Sequence, residues 1–273
     1  MSSTYLENRV RTRQLDRVPY SADRVLGKLP SARSTSPIAR RPRWRTLPGL
    51  LLTLAASTAS ATPDTIDLGA FRIDRTEVTV ARVANFLKAT GRTTSAEQAG
   101  GGFEWGAGWE RRPGWTFRAP SGRPARPDDP AAHLDWFEAD ALCRWAGGQL
   151  PSRDQWARAA YTEQRATPPA PLVTGRTYPY PTGDSTRGAN LAGDGDGFER
   201  HAPAGATVAG VNGLHEMAGN LWEWLADARG DERLTAGGSW WYGAAQTRLE
   251  GMQWKPARFH VVYVGFRCVY PAR

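Results

Sequence analysis

The chain has 273 residues, 35 Lys/Arg against 27 Asp/Glu for a formal charge of +8, and 12 Trp. That charge is confined to one end: residues 1–61 hold 11 Lys/Arg and 3 Asp/Glu, while the rest of the chain holds 24 of each. The high pI is therefore no footprint of a nucleic-acid or anionic-membrane partner for the body of the chain, and no nucleic acid is expected.

The basic end reads as an export signal. Arg40-Arg-Pro-Arg-Trp-Arg45 is a basic stretch, Leu47 to Ala56 a short apolar run, and Ala59-Ser-Ala61 a small-residue cleavage site. The run falls short of the about 20 residues a membrane-spanning helix needs, so no stable span is expected. An uncleaved anchor is the alternative. The expected organisation is an N-terminal extension over residues 1–61 and a single exported domain, periplasmic or secreted, over 62–273. A domain of that size can bury one sizeable core.

Eleven of the 12 Trp fall in that domain, which suits a loop-rich fold packed by large aromatics. A strand is expected at Phe71–Arg75. A helix follows over Val80–Thr90, with Thr79 as N-cap, Val83, Ala84 and Leu87 on one face, and a stop at Gly91. Residues 96–130 read as a long irregular stretch. A second helix runs over Trp136–Ala146 behind an Asp135-x-x-Glu138 capping pattern, with Ala139, Leu142, Cys143 and Ala146 as its stripe. A third runs from Arg153 to about Tyr161 after Ser152, with Gln155 closing a capping box and Trp156, Ala159 and Ala160 facing inward. Residues 162–207 read as irregular again, and loops that long are usually functional or held by something extra. Further short strands are expected at Leu234–Ala236, Val261–Val264 and Phe266–Tyr270. Cys143 and Cys268 are the only cysteines; an even count in an exported chain suggests one disulfide, with two buried free thiols as the alternative.

Two segments could hold a hard cation. Asn190-Leu-Ala-Gly-Asp194-Gly-Asp196-Gly-Phe198 collects oxygen ligands in a turn, although an EF-hand starting at Asp194 would place Gly205 where a bidentate Glu is required. A solvated Asp/Gly turn is the alternative. Glu216 and Glu223 flank Ala218-Gly219-Asn220, whose turn could aim carbonyls at an ion; exposed acidic residues are the plainer reading. His133, His201, His215 and His260 show no metal-binding helical spacing. Ser239 follows two glycines, but Gly238-Ser239-Trp240-Trp241 is not a Gly-x-Ser-x-Gly nucleophile elbow.

The run Gly213-Leu-His-Glu-Met-Ala-Gly-Asn-Leu-Trp-Glu-Trp224, then Gly237-Gly-Ser-Trp240, then Gly265-Phe-Arg-Cys268 resembles the formylglycine-generating, or sulfatase-modifying factor, family. Ile73-Asp-Arg-Thr-Glu-Val-Thr79, His133-Leu-Asp-Trp136 and Cys143-Arg-Trp-Ala-Gly-Gly-Gln-Leu-Pro-Ser152 extend the resemblance from about Ile73 to Val269. It implies an α+β formylglycine-generating fold, loop-rich and related to C-type lectin domains. It implies a disulfide between Cys143 and Cys268. It also implies two structural Ca²⁺ sites, one from Asn190, the Leu191 carbonyl, Asp196 and the Phe198 carbonyl, the other from Glu216, the Gly219 and Leu221 carbonyls and Glu223. The family's copper-binding cysteine pair falls at Tyr242 and Thr247. Cu(I) prefers soft thiolates, so no copper and no sulfatase activation are expected. Ser239 and Trp222 match residues lining the family's cleft, and Trp240, Trp241, Tyr242 and Arg248 would enrich its rim. Tyr242, Ser239 and Trp222 are thus the candidate catalytic residues. Relatives lacking the cysteine pair include the pyoverdine-maturation oxidase and the sulfoxide synthases of ergothioneine and ovothiol biosynthesis. The resemblance implies an oxidoreductase-type protein acting on a small molecule or peptide, or else a non-catalytic binding module using the same aromatic cleft.

Overall fold

Four capped helices, one of them a single turn, and three small sheets make up the domain in the computed structural model, which describes residues 63–193 and 196–272. The expected export signal and Asp194 lie outside the described residues. β1 (Thr65–Asp67) and β2 (Phe71–Asp74) pair antiparallel, and β2 also pairs with β9 (Val269–Pro271), so the two ends of the domain share one sheet.

The helices form where their caps and apolar stripes place them. α1 (Val80–Thr90) is capped by Thr79, which accepts from the Arg82 amide, and ends on Gly91 at φ 66°, a left-handed position that suits glycine. A one-turn helix, α2 (Ser95–Gln98), carries a Thr94/Glu97 capping box. α3 (Trp136–Trp145) has the Asp135/Glu138 box and buries Ala139, Leu142 and Cys143. α4 (Arg153–Tyr161) has the Ser152/Gln155 box and buries Trp156, Ala159, Ala160 and Tyr161. Each reciprocal cap satisfies two amides that a helix start leaves unpaired.

The region expected to be irregular between residues 96 and 130 contains a hairpin, β3 (Gly101–Trp105) with β4 (Trp109–Pro113). Its Gly101-Gly102 start reads as a turn, yet both glycines are close-approach positions. A Cβ at Gly101 would lie 2.0 Å from the Arg112 carbonyl oxygen, and one at Gly102 would lie 2.0 Å from the His133 ring.

The largest sheet has the order β7-β6-β5-β8, from β5 (Trp222–Arg229), β6 (Glu232–Ala236), β7 (Gln253–Pro256) and β8 (Val264–Gly265), with β5 and β8 parallel. It separates two apolar clusters. Trp222 and Trp224 face a cluster with α1, α3 and Val261–Val264, while Leu225, Leu234 and Ala236 face a second with Trp156 and Met217. Burial on both faces explains why β5 shows no hydrophobic alternation in the sequence. The strand expected at Val261–Val264 reduces to β8, and that at Phe266–Tyr270 shifts to β9. Phe266 and Arg267 between them are pulled out of strand pairing by contacts to the Val78 amide and to Glu223.

Cys143 and Cys268 are bonded, with Cα atoms 5.4 Å apart, and no described cysteine is free. The bridge ties α3 to the C-terminal segment across 125 residues of chain. Reduction should therefore lower stability by about 2–5 kcal/mol, read as a drop in urea midpoint with dithiothreitol that a Cys143→Ala/Cys268→Ala variant reproduces without reductant.

Candidate functional site

The site begins where β6 runs out. Gly237 and Gly238, at φ 91° and 72°, turn the chain so that Ser239 through Tyr242 fold back across β5. A Cβ at Gly237 would lie 3.1 Å from the Met217 carbonyl oxygen, so the turn needs glycine for conformation as well as space. Backbone bonds fix the result: the Trp240 amide donates to the Asn220 carbonyl, and the Tyr242 amide to the Ser239 carbonyl.

Ser239 is fully buried, and its hydroxyl accepts from the Trp241 amide at 3.4 Å. Thr247 is also fully buried and donates its hydroxyl to the Ala244 carbonyl. Tyr242 is half-buried and stands edge-on to Trp222, with ring centroids 5.5 Å apart. The structure brings Trp222, Ser239 and Tyr242 together, and no free cysteine is available to either cysteine position of the family pattern.

An aromatic row extends from this point. Tyr242 meets Tyr263 at 5.8 Å, Tyr263 meets Trp109 at 5.9 Å, and Trp109 meets both Phe259 and Trp105. The β3–β4 hairpin supplies Trp105 and Trp109, so the element missed in the sequence forms one wall. At the other end, the Lys255 ammonium lies 4.1 Å from the Trp222 ring centroid. The buried indole N–H groups of Trp222 and Trp240 have no hydrogen-bond partner, an uncommon state for a buried donor. Trp240 and Trp115 instead stack on the Arg200 guanidinium, itself paired with Glu104. Trp241 packs edge-on to Trp240, and Arg248 stacks on Tyr180, away from Trp222.

On the opposite face of β5 lies a charged centre. Arg267 is fully buried and donates from Nε and Nη2 to the Glu223 carboxylate, which also accepts from Trp156 Nε1 at 2.7 Å. Glu216 accepts from the Gly205 and Thr207 amides and the Thr207 hydroxyl. Glu77, from the Ile73–Thr79 motif, accepts from Asn220 Nδ2 and the Leu221 amide. Burial, then Glu216 and Glu223, push the Glu77 carboxyl well above the usual carboxylate range, against the pull of Arg267. Sequence reasoning gave Glu77 and Arg267 no role beyond their motifs; for Arg267 the signal was a lone charge inside an otherwise apolar segment, whereas Glu77 sits among polar residues and carried none.

The two candidate Ca²⁺ sets differ in fit. In the first, Asp196 accepts from the Phe198 amide through Oδ1, while its Oδ2 is buried with no hydrogen-bond partner. Asn190, six residues earlier, is buried and oriented by Nδ2 donation to the Arg200 carbonyl and Asn220 Oδ1. An orphaned carboxylate oxygen among hard oxygen donors suits Ca²⁺. Glycine at 219 is also required here, because a Cβ would lie 2.1 Å from the Asn190 carbonyl oxygen. In the second set both carboxylates are engaged: Glu223 by Arg267 and Trp156, Glu216 by Gly205 and Thr207. Three buried carboxylates nevertheless face one guanidinium, so a proton or a cation must balance the remainder. Among the described residues, no three His, Cys, Asp or Glu side chains stand together as a metal cluster.

His133 is buried at φ 59° with its ring against the Pro120 and His260 carbonyls, and burial lowers its pKa to about 4. It is a neutral structural residue.

A loop-rich α+β body, closed by a helix-to-terminus disulfide and presenting an indole floor behind a Gly-Gly-Ser turn, defines a formylglycine-generating-type fold. Residues 39–272 match the family model described as the sulfatase-modifying factor enzyme 1-like domain, and the chain belongs to that family. Hercynine oxygenase of Mycolicibacterium thermoresistibile is 30% identical over 250 residues, covering 75% of this chain and 52% of the relative. The formylglycine-generating enzyme of Thermomonospora curvata is 32% identical over 197 residues, covering 60% of this chain and 61% of the relative. The chain thus spans between about half and three-fifths of the length of these relatives. Among solved structures, PvdO from Pseudomonas aeruginosa superposes with a TM-score of 0.54 at 18% identity, covering 74% of this chain and 80% of that one, a likeness of fold.

Arg267→Met should cost about 3–5 kcal/mol, because it leaves buried carboxylates without a counter-charge; urea denaturation measures it. Glu77 has a raised folded pKa, so its protonation supports the fold below the unfolded carboxylate value and that support is lost as pH rises through the folded value. Glu77→Gln should therefore gain on the wild type between pH 4.5 and pH 8, and a constant difference would show that Glu77 is not protonated in the fold.

Proposed function

We propose that this is an exported, calcium-stabilised member of the family whose aromatic cleft acts on a small molecule or peptide in an oxidoreductase-type reaction other than copper-dependent sulfatase activation. The observation that supports this reading is a meeting of aromatic and hydroxyl side chains where the family resemblance would place a thiol pair. Trp222, Ser239 and Tyr242 stand together, while Tyr242 and Thr247 occupy the cysteine positions and both cysteines of the chain are joined in the disulfide. A phenol and a hydroxyl are hard ligands that do not replace thiolates for Cu(I), so the residues do not fit copper and no step is derived through it. The names of the relatives, an oxygenase and a formylglycine-generating enzyme, support oxidative chemistry on the family scaffold.

Calcium would sit at Asn190, the Leu191 carbonyl, Asp196 and the Phe198 carbonyl. Its charge would neutralise the orphaned Asp196 oxygen and hold a loop whose next residue, Ala192, donates its amide to the Tyr242 carbonyl. In that arrangement the ion orders the segment that backs the cleft. No helix among the described residues is long and apolar enough to cross a membrane.

The second reading is a binding module that uses the same cleft without turnover. It is favoured by the lack of any described three-residue metal cluster and of any described free thiol. Tyr242→Phe separates the two once a ligand is found: loss of turnover with affinity retained supports direct chemistry, and loss of affinity alone supports recognition. Elemental analysis of protein purified from an oxidising compartment without chelators should show calcium and no stoichiometric copper; retained copper would overturn the reading. Removing calcium with EGTA should lower Tm, and Asp196→Asn should abolish that difference. A site held at about 100 times its Kd contributes roughly 2.7 kcal/mol.

A further inference from the structure

The chain is strongly biased toward arginine: Lys28, Lys88 and Lys255 are its only lysines among 35 basic residues. Lys88 lies exposed in the last turn of α1. Lys255 is 7% exposed, on β7, over the Trp222 ring. Arginine cannot give up its proton in a protein, whereas a desolvated lysine can, so a lone lysine at a buried position of an arginine chain is a chemical distinction.

What faces the ammonium is an aromatic ring and a neutral amide rather than a counter-charge. No described carboxylate lies within ion-pair distance of Lys255, and its one hydrogen bond is to the neutral Gln253 Oε1 at 2.9 Å. Across β6 its register partner is Arg233, another cation, whose guanidinium donates to the Gly230 and Glu232 carbonyls. On β5 it meets only the face of Trp222, whose far contact is the Tyr242 ring. Burial alone lowers the amine to about 7. Gln253 also lines an open groove of about 460 Å³ with Ala245, Gln246, Arg248 and Met252, which brings solvent-exposed space to the neighbour of the amine. The Trp222 indole N–H, on the ring beneath the amine, is an unpartnered donor.

We propose that Lys255 is a reactive amine of the aromatic cleft that takes a small carbonyl compound as an imine. The amine lone pair attacks the carbonyl carbon to form the C–N bond. The carbonyl oxygen then departs as water with the two amine hydrogens, and no oxidant or reductant is consumed. The Trp222 N–H is the donor available to the oxygen as it gains charge. This inference rests on reading the Trp222–Tyr242 row as a ligand cleft, but it requires neither turnover nor a metal.

The test is reductive trapping on the full chain with benzaldehyde and cyanoborohydride, followed by peptide mapping at Lys28, Lys88 and Lys255. At pH 7.5, N-benzyl label should accumulate at Lys255 at least about tenfold faster than at Lys88, because burial favours the free amine that attacks the aldehyde. The Lys255 rate should level off above about pH 7. Lys255→Met, a neutral side chain of similar length, should lose that label and retain a cooperative melt. Labelling of Lys255 no faster than of Lys88 in the folded protein would overturn the proposal and leave a closed structural cation. Tyr242→Phe is read separately: unchanged ligand binding in that variant with Lys255 still trapped would sink the cleft role of Tyr242 and leave the amine standing.

Discussion

A single buried guanidinium organises the interior. Arg267 reaches from the C-terminal segment to the Glu223 carboxylate on β5, and donates as well to the Asp74, Arg75 and His215 carbonyls. It thereby joins the terminal sheet, the central sheet and the turn that precedes β5. A planar, permanently charged group with five donors suits this role where lysine would not. The arrangement is costly to desolvate, and it is tolerated because nearly every donor and acceptor around it is matched. Next to it, Asp74 accepts from the Cys268 amide and pairs with Arg82 of α1, so the residue that closes the disulfide is also positioned by charge.

The aromatic row depends on this centre through β5. Alternation along the strand places Glu223 on one face and Trp222 and Trp224 on the other, so fixing Glu223 fixes the indole floor. The Gly237-Gly238 turn then lays Tyr242 against that floor, and the β3–β4 hairpin completes the row with Trp109. The aromatic row and the charged centre thus occupy opposite sides of one strand.

Much of this was legible from residues alone. Two of the three main helices begin at capping pairs that a reader can find and the third at a single threonine cap, because a cap is a local pattern of side chains and amides. Helix α1 spans the expected residues, and α3 ends one residue earlier than expected. The hairpin was hidden because its glycines signal turns, while their actual role is to let the Arg112 backbone and the His133 ring approach. Strand β5 was hidden because a strand buried on both faces has no alternation to read. The disulfide and the meeting of Trp222, Ser239 and Tyr242 came from family motifs. Lys255 and the hairpin tryptophans carry no motif, and only the fold brings them to the same row.

The disulfide has a topological result of its own. Every candidate residue from Asn190 to Lys255 lies inside the covalent loop closed by Cys143 and Cys268. That loop includes the largely exposed stretch from 166 to 176. A protease nick there would yield a two-chain protein whose halves migrate together on a non-reducing gel and part only with a thiol. The hairpin tryptophans and Trp222 would stay covalently linked through that one bridge after such a cut.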